Sequence, residues 1–466
     1  MTRVPSAVLL SAICASALLV SGCAGAPAQQ DVTASAPKGG SERAAVRDTA
    51  APEPSPVLPV RPADAAAKTP SATVSRTTGT TRNITGSGLR LSSYDAAKHR
   101  AELTPARSGS GKDNRTPKVR EGDVIASPPS RELPRGALVK VVDVRSTDGP
   151  RTEVSTEPAN LTELFGNARA EGDVPVDPDA WKVEPLVAGL DVSRRAADGE
   201  QRSARGIEGG FGLGTLRIDL DAPLPLPPAG DGGKAPDVEL GGFVELSPEV
   251  AFSYHRRSAL DLAPANASIR LAGPYRAGWR MDGDLALGKA IRVPFARLTA
   301  RPVINVGPVP VVVNLGLTLS YEVTASGKVT VRLDQEVRGQ VTVGARYSAE
   351  EGWEPDVQAD GKATPVTMKV TGKGEARAAI ATEASVGLYD SVGISATFAP
   401  YLRATAEGTA SKRGAAGAWG LYGGVRLDGA LHARLAVFGT PLGEYRIPIP
   451  LYSREWPIAE GRTPAV

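Results

Sequence analysis

The 466-residue chain carries few side chains whose type and spacing could do chemistry. Its three histidines stand far apart. His255 follows Tyr254 and precedes two arginines, His432 lies two residues before Arg434 on the polar parity of a strand, and His99 sits in a stretch with little pattern. Each reads as an exposed surface histidine rather than a base or a ligand. A zinc site needs three or four ligands at defined spacing, and neither H-x-x-x-H nor C-x-x-C occurs. Glycan cleavage needs two carboxyl groups at a set separation. Asp334 and Glu336, like Asp282 and Asp284, share a strand face, but arginines surround both pairs and they read as solvated ion pairs. Asp177 with Asp179, and Asp219 with Asp221, supply too few oxygens for a calcium loop. SGSGKDN around Lys112 lacks the first glycine of a phosphate loop and puts Asp113 where Ser or Thr would hold magnesium. GIEGGFGLG around Gly210 does not fit G-x-G-x-x-G, and a G-x-S-x-G elbow is missing. No catalytic, cofactor-binding or metal-binding residue is assigned, and the expectation is a protein that is not an enzyme.

One cysteine does carry chemistry. Arg3 precedes the short apolar run Val8 to Val20, which is too short for a comfortable membrane span and suits a signal peptide. The run ends in Leu19-Val20-Ser21-Gly22-Cys23. This segment resembles the lipobox of bacterial lipoproteins. The resemblance implies that residues 1–22 are removed, that the Cys23 thiol takes a diacylglyceryl group, and that the new amino terminus is acylated with palmitate-like chains. Two chains hold a protein on a bilayer where one does not, because each buried CH₂ is worth about 0.8 kcal/mol. The location implied is the extracytoplasmic face of the cell membrane, with the membrane itself as partner through Cys23. Cys14 leaves with the signal peptide, so the mature chain keeps no thiol for a disulfide or a nucleophile. Lys and Arg number 54 against 51 Asp and Glu, for a net charge of +3, which gives no electrostatic reason to expect nucleic acid.

The elements that follow fall into four stretches. Residues 23–83 are rich in Ala, Pro, Ser and Thr without apolar period, and read as a disordered tether. Residues 84–205 read as a small β-rich region with one short helix. Leu138 to Val144 is a β-rich run, Asp148-Gly149-Pro150 a turn, and TEVST the returning strand. Asn160 and Glu163 form a capping box before the apolar face Leu161, Leu164, Phe165 and Ala168, with Gly172 as stop. Here GDVI-x-S-P-P and T-x-P-A-x-L-x-E are similar to a segment of other secreted bacterial proteins of no known activity. That likeness supports a folded unit and nothing more.

Residues 206–458 read as the main body, and 459–466 as a disordered tail. From Lys328 to Tyr347 apolar and polar residues alternate, and Val309 to Val323 repeats the habit. Ala325-Ser326-Gly327 between them predicts a three-residue hairpin loop with Thr324 opposite Lys328. Val238 to Tyr254, Tyr275 to Leu287, Val366 to Leu388 and Trp419 to Leu435 keep the same period of two. No crossover helices separate these runs, so the expected fold is all-β: an antiparallel, long-stranded sandwich or barrel with one dry face. Interior glycines such as Gly339, Gly372, Gly374, Gly423 and Gly429 are expected bending points. The leading function is a lipid-anchored scaffold for binding or structure. A hydrophobic-ligand carrier, suggested by the small inward residues Ala376, Ala378 and Ala384, is the alternative. A secreted hydrolase comes third. A membrane-spanning barrel fits the alternation, but the strands exceed the 9–11 residues a bilayer needs.

Overall fold

The computed structural model describes residues 55–463 apart from 64–70, 79–80, 107–118, 149, 196–213, 224–237, 258–260, 262, 286–289, 364–366, 390–392, 412–413 and 433–445. The chain enters at β1 (Val57–Pro62), which joins the larger of two sheets. The smaller sheet follows: β2 (Thr73–Thr78), β3 (Thr81–Gly86), β4 (Leu89–Asp95), β5 (Arg100–Pro105), β6 (Val124–Ser127), β7 (Ala137–Asp148) and β8 (Arg151–Pro158). Their spatial order is β3-β2-β6-β7-β8-β5-β4. β7 and β8 form the expected hairpin, with bulges between Val141 and Asp143 and between Val144 and Ser146.

The one α-helix among the described residues, α1 (Leu161–Phe165), starts where its capping box predicts. Asn160 Oδ1 accepts from the Glu163 amide at 2.8 Å, and Glu163 Oε2 accepts from the Asn160 amide at 3.1 Å. It ends at Gly166, whose φ of 61° only glycine adopts freely, six residues before the Gly172 stop expected from sequence. Gly172 lies instead within β9 (Arg169–Pro175). A 3₁₀ turn at Pro178–Ala180, β10 (Lys182–Pro185) and β11 (Leu190–Arg195) follow.

The rest is one large sheet. β12 (Thr215–Pro223), β13 (Val238–Leu246) and β14 (Glu249–His255) lead to a run of three collinear strands, β15 (Asn266–Leu285), β16 (Ile291–Ala300) and β17 (Val303–Val306). All three pair with one side of the 40-residue β18 (Val309–Ser348), from Asn266 opposite Ser348 to Val306 opposite Val309, with one bulge at Pro294/Ala296. β19 (Gly352–Ala359), β20 (Lys362–Ala363) and β21 (Thr367–Leu388) return along its other side. β22 (Ile394–Ser411), β23 (Gly414–His432) and β24 (Arg446–Thr463) extend the meander. β14 pairs β9, β9 pairs β1, and β1 pairs β17, so the two ends of the β15–β17 run are joined through three strands and the sheet closes as a barrel. All of these pairings are antiparallel except β1 with β9, which is parallel. Straight, the 24 residues from Leu317 to Val341 would span about 80 Å. Both line the same cavity, so β18 coils back on itself.

The alternating rows land where parity puts them. Val309, Val311, Val313, Leu315, Leu317, Leu319, Tyr321 and Val323 are all buried, as are Val250, Phe252 and Tyr254, and Ala376, Ala378, Ile380, Ala384 and Val386. Trp419, placed in the last of these rows, is 42% exposed.

Three boundaries differ from the sequence reading. Val57–Pro62 and Thr73–Thr78, inside the stretch 23–83 read as tether, are strands, because prolines at β1 conceal a short edge segment that partners elsewhere supply with hydrogen bonds. β9, β10 and β11, assigned to the 84–205 region, belong to the large sheet. β24 runs to Thr463, past the 458 boundary and into the segment 459–466 read as tail.

The hairpin at Ala325-Ser326-Gly327 does not form. β18 runs straight through it, with Ser326 opposite Glu375 and Gly327 opposite Gly374. Gly327 does take positive φ, +79°, and its Cα faces the Lys373 carbonyl so closely that a Cβ would collide with it. The local turn signal is outweighed by a partner, β21, that pairs continuously from Val313 to Asp334. Cysteines replacing Ser326 and Glu375 are therefore expected to oxidise to an intramolecular disulfide, since facing antiparallel residues hold Cα atoms about 4.5–5.5 Å apart. A Thr324→Cys/Lys328→Cys pair should stay reduced, being about 13 Å apart along one strand. Intact mass before and after alkylation distinguishes the two, and the reverse pattern would restore the hairpin.

Among the described residues the strand register of β24 is with β23. Pro448, Pro450 and Pro457 interrupt it, and a proline is tolerated in a ladder where its missing N–H faces away from the partner. They leave donor-free positions on the open edge, which protects it from pairing with another strand.

Candidate functional site

The candidate residues from sequence are scattered. Cys14, Cys23, the stretch around Lys112 and the stretch around Gly210 except its last residue, Gly214, fall outside the described residues. His99 is exposed at φ 52° in the turn between β4 and β5, and His255 is half-buried at the end of β14. His432 ends β23, opposite Arg446. Asp334 is exposed and 3.9 Å from Arg280. Glu336 accepts from Arg276 in a two-pronged pair at 2.5 and 2.8 Å, which holds its carboxyl below the usual range. Asp219 is engaged by Arg217 at 2.7 Å, and Asp177 caps the 3₁₀ turn through the Asp179 amide. Among the described residues no group of three or more His, Cys, Asp or Glu side chains could hold a metal ion.

The densest polar constellation was missed by single-strand reading because it runs across strands. Arg292, Glu322, Ala379, Tyr401, Gly424 and Glu455 are successive partners on six strands, from β16 to β24, on the outward face. Tyr401 lies over Gly424, where a Cβ would enter its ring, and donates to Glu455 Oε2 at 3.1 Å. Arg377 stacks 3.6 Å above the Tyr401 ring, and Arg403 stacks 4.3 Å above Tyr422. Arg403 Nε donates to Glu455 at 3.0 Å. Arg426 reaches across two intervening strands to Glu322 at 2.7 and 3.0 Å. Together Tyr401 and the stem of Arg426 roof a small outer cluster of Ala379, Ala381 and Ala399, all buried.

This face is electrostatically saturated. The hydrogen bond from Arg403 holds the Glu455 carboxyl low, as Arg276 does for Glu336. Among the described residues the carboxyls displaced from their ordinary proton affinity, Asp95, Glu132, Glu336 and Glu455, are displaced downward. A general acid near neutral pH needs the opposite displacement. Across the strands, glycines stand opposite aromatics, a pairing that only the register supplies. Phe243 faces Gly278, Trp456 faces Gly423 and Trp419 faces Gly461, each ring filling the space of the absent Cβ.

Inside the barrel, an apolar cavity of about 60 Å³ is lined by Leu317, Val341, Ile380 and Phe398. It sits where two irregularities face each other. On one wall Ser247-Pro248 separates β13 from β14 beside Pro274; on the other, Pro400 interrupts the β21–β22 ladder between Ala379/Tyr401 and Thr382/Phe398. Tyr275 bridges the walls, its ring 5.2 Å from Phe398 and its hydroxyl donating to the Asp360 carbonyl at 2.9 Å. Burial pushes that phenol well above its ordinary range. A second, open cleft of about 690 Å³ lies between the sheets, walled by Thr73, Pro128 and Pro129 on one side and Pro175, Arg301 and Pro308 on the other. Its proline walls offer rings and carbonyl acceptors but few donors.

No family model, curated protein or solved structure matches the chain.

Proposed function

We propose that the chain is a lipoprotein, acylated at Cys23, held on the extracytoplasmic face of the cell membrane, and that its β body is a non-enzymatic scaffold for binding or structure. The observation that carries the scaffold reading over a carrier is the small size of the apolar cavity that the described residues enclose inside the barrel. Ligand cavities hold about 300–1,000 Å³; the apolar cavity between the barrel walls, where an acyl chain would lie, holds about 60 Å³, and the cleft of about 690 Å³ between the sheets is open and walled largely by proline. The small inward residues that suggest a carrier, Ala376, Ala378 and Ala384, are packed at 5% exposure or less. The neutralised outer carboxylates favour the same reading over a hydrolase. The anchor rests on the motif Leu19 to Cys23. Val57 lies 34 residues beyond Cys23 in the chain.

Labelled palmitate is expected to enter the wild-type chain and not Cys23→Ala, which should leave the membrane fraction with its signal peptide uncut or be released. Label on Cys23→Ala, or none on the wild type, would remove the anchor from the proposal. Native mass spectrometry of the detergent-extracted chain tests the body: acyl lipid bound beyond the covalent modification would favour the carrier.

A further inference from the structure

Two of the described large apolar side chains left exposed, Trp419 at 42% and Tyr452 at 46%, lie on β23 and β24 and face the same side. Trp456 lies between them. Trp419 is at the level of Gly461, Trp456 at Gly423 and Tyr452 at Leu427, so the three occur at four-residue intervals along β23. At 3.3 Å per residue that is a repeat of about 13 Å. The two indoles lean across the partner strand. A Cβ on Gly461 would be 2.5 to 2.8 Å from three ring atoms of Trp419, and one on Gly423 would be 2.9 Å from Trp456 Nε1. Between Trp456 and Tyr452, on the same face, stands Arg454, exposed and without an ion pair among the described residues. The neighbouring carboxylates Glu455 and Glu460 point to the opposite face and are engaged by Arg403 and Tyr422.

From this arrangement we infer that the β23–β24 rim is a binding platform for a linear, carboxylate-bearing polysaccharide. A flat ring offers its negative face to the apolar C–H face of a pyranose. A row of such rings at a fixed repeat suits a chain of sugars, and the free guanidinium meets a carboxylate with two parallel hydrogen bonds. A membrane surface would call for rings standing out from the sheet, and a protein strand is refused by the prolines of the open edge. The inference rests on the reading of the body as a binding scaffold outside the cell, and names its partner class.

Trp181, Trp279 and Trp353 are 2%, 4% and 8% exposed, so surface changes in tryptophan emission report Trp419 and Trp456. Titrating the full chain with alginate oligosaccharides should shift that emission, and neutral cello-oligosaccharides of equal length should bind about tenfold more weakly. Trp419→Ala and Tyr452→Ala should each weaken alginate binding by about tenfold. Arg454→Gln should bring alginate down to the neutral level and leave the neutral sugar unchanged. No response to either saccharide, or a response that survives Trp419→Ala and Tyr452→Ala, overturns the platform. Quenching by vesicles of brominated lipid without a saccharide response overturns it in favour of a membrane-facing rim. Palmitate labelling is independent of all these variants, so loss of the anchor and loss of the platform are separately visible.

Discussion

Phe165→Ala is expected to lower stability by about 3–5 kcal/mol, the range for emptying a large aromatic from a core. Phe165 is 2% exposed, at the end of a five-residue helix that would not persist alone. Its ring packs edge-on against Phe252 at 6.3 Å and against Tyr254 at 5.3 Å, both on β14 of the large sheet. Tyr254 donates to the Gly166 carbonyl at 3.1 Å, and Ser75 of the smaller sheet donates to the Leu164 carbonyl at 2.9 Å. The helix is thus the joint at which both sheets share one core, which includes Val124, Ala126 and Leu138 of the smaller one. Urea denaturation followed by circular dichroism and by tryptophan emission should move together to a lower midpoint. Phe165→Leu, which keeps most of the volume, should cost under about 1.5 kcal/mol. A loss below about 1 kcal/mol for the alanine variant would mean that the joint contributes little.

The second large effect is expected at Gly424. Gly424→Val puts a branched side chain where the Tyr401 ring lies, its Oη and Cε1 2.5 and 2.6 Å from the new Cβ. Tyr401 is 5% exposed and cannot swing aside without losing Glu455 and the Arg377 stack. Overpacking of this kind costs about 1–3 kcal/mol, and the lost hydrogen bond to a charged partner adds about 1.5–3 kcal/mol. Tyr401→Ala alone should cost a comparable amount, because it removes the same hydrogen bond and empties a ring that is 5% exposed. In the double variant the valine occupies vacated space, so its cost should nearly vanish, giving a coupling close to the full cost of Gly424→Val alone, about 2.5–6 kcal/mol, in a double-mutant cycle. Additive losses would show that the ring does not rest on Gly424. The cycle is measured at neutral pH, where Glu455 is ionised. Its folded-state carboxyl is held below the ordinary value, so its contribution is complete above that value and fades as pH falls through the lower one.

Much of this fold was legible before any coordinates. Side chains two apart on a strand share a face whatever the strand pairs with, so the buried rows of β14, β18 and β21 follow from alternation alone. The capping box at Asn160 and Glu163 is equally local, because both hydrogen bonds close within four residues. The lipobox-like segment is a short motif and needs no fold to be seen. What failed was pairing. Ala325-Ser326-Gly327 satisfies the chemistry of a turn and the chemistry of a straight strand with one left-handed glycine, and only β21 decides between them. Val57–Pro62 has no pattern of its own and becomes a strand because β9 and β17 present free edges to it.

The same division holds for the sites. Residue type excluded the common catalytic and metal signatures, and parity determined which side chains enter the dry layer. Tertiary structure decided that Arg426 reaches Glu322, that Tyr401 rests on Gly424, and that Trp419 remains at an uncovered rim while Leu421 beside it is buried. Alternation is set by the geometry of one backbone. Lateral partnership depends on which distant strands arrive alongside, and the chain records that only in how well whole faces pack together.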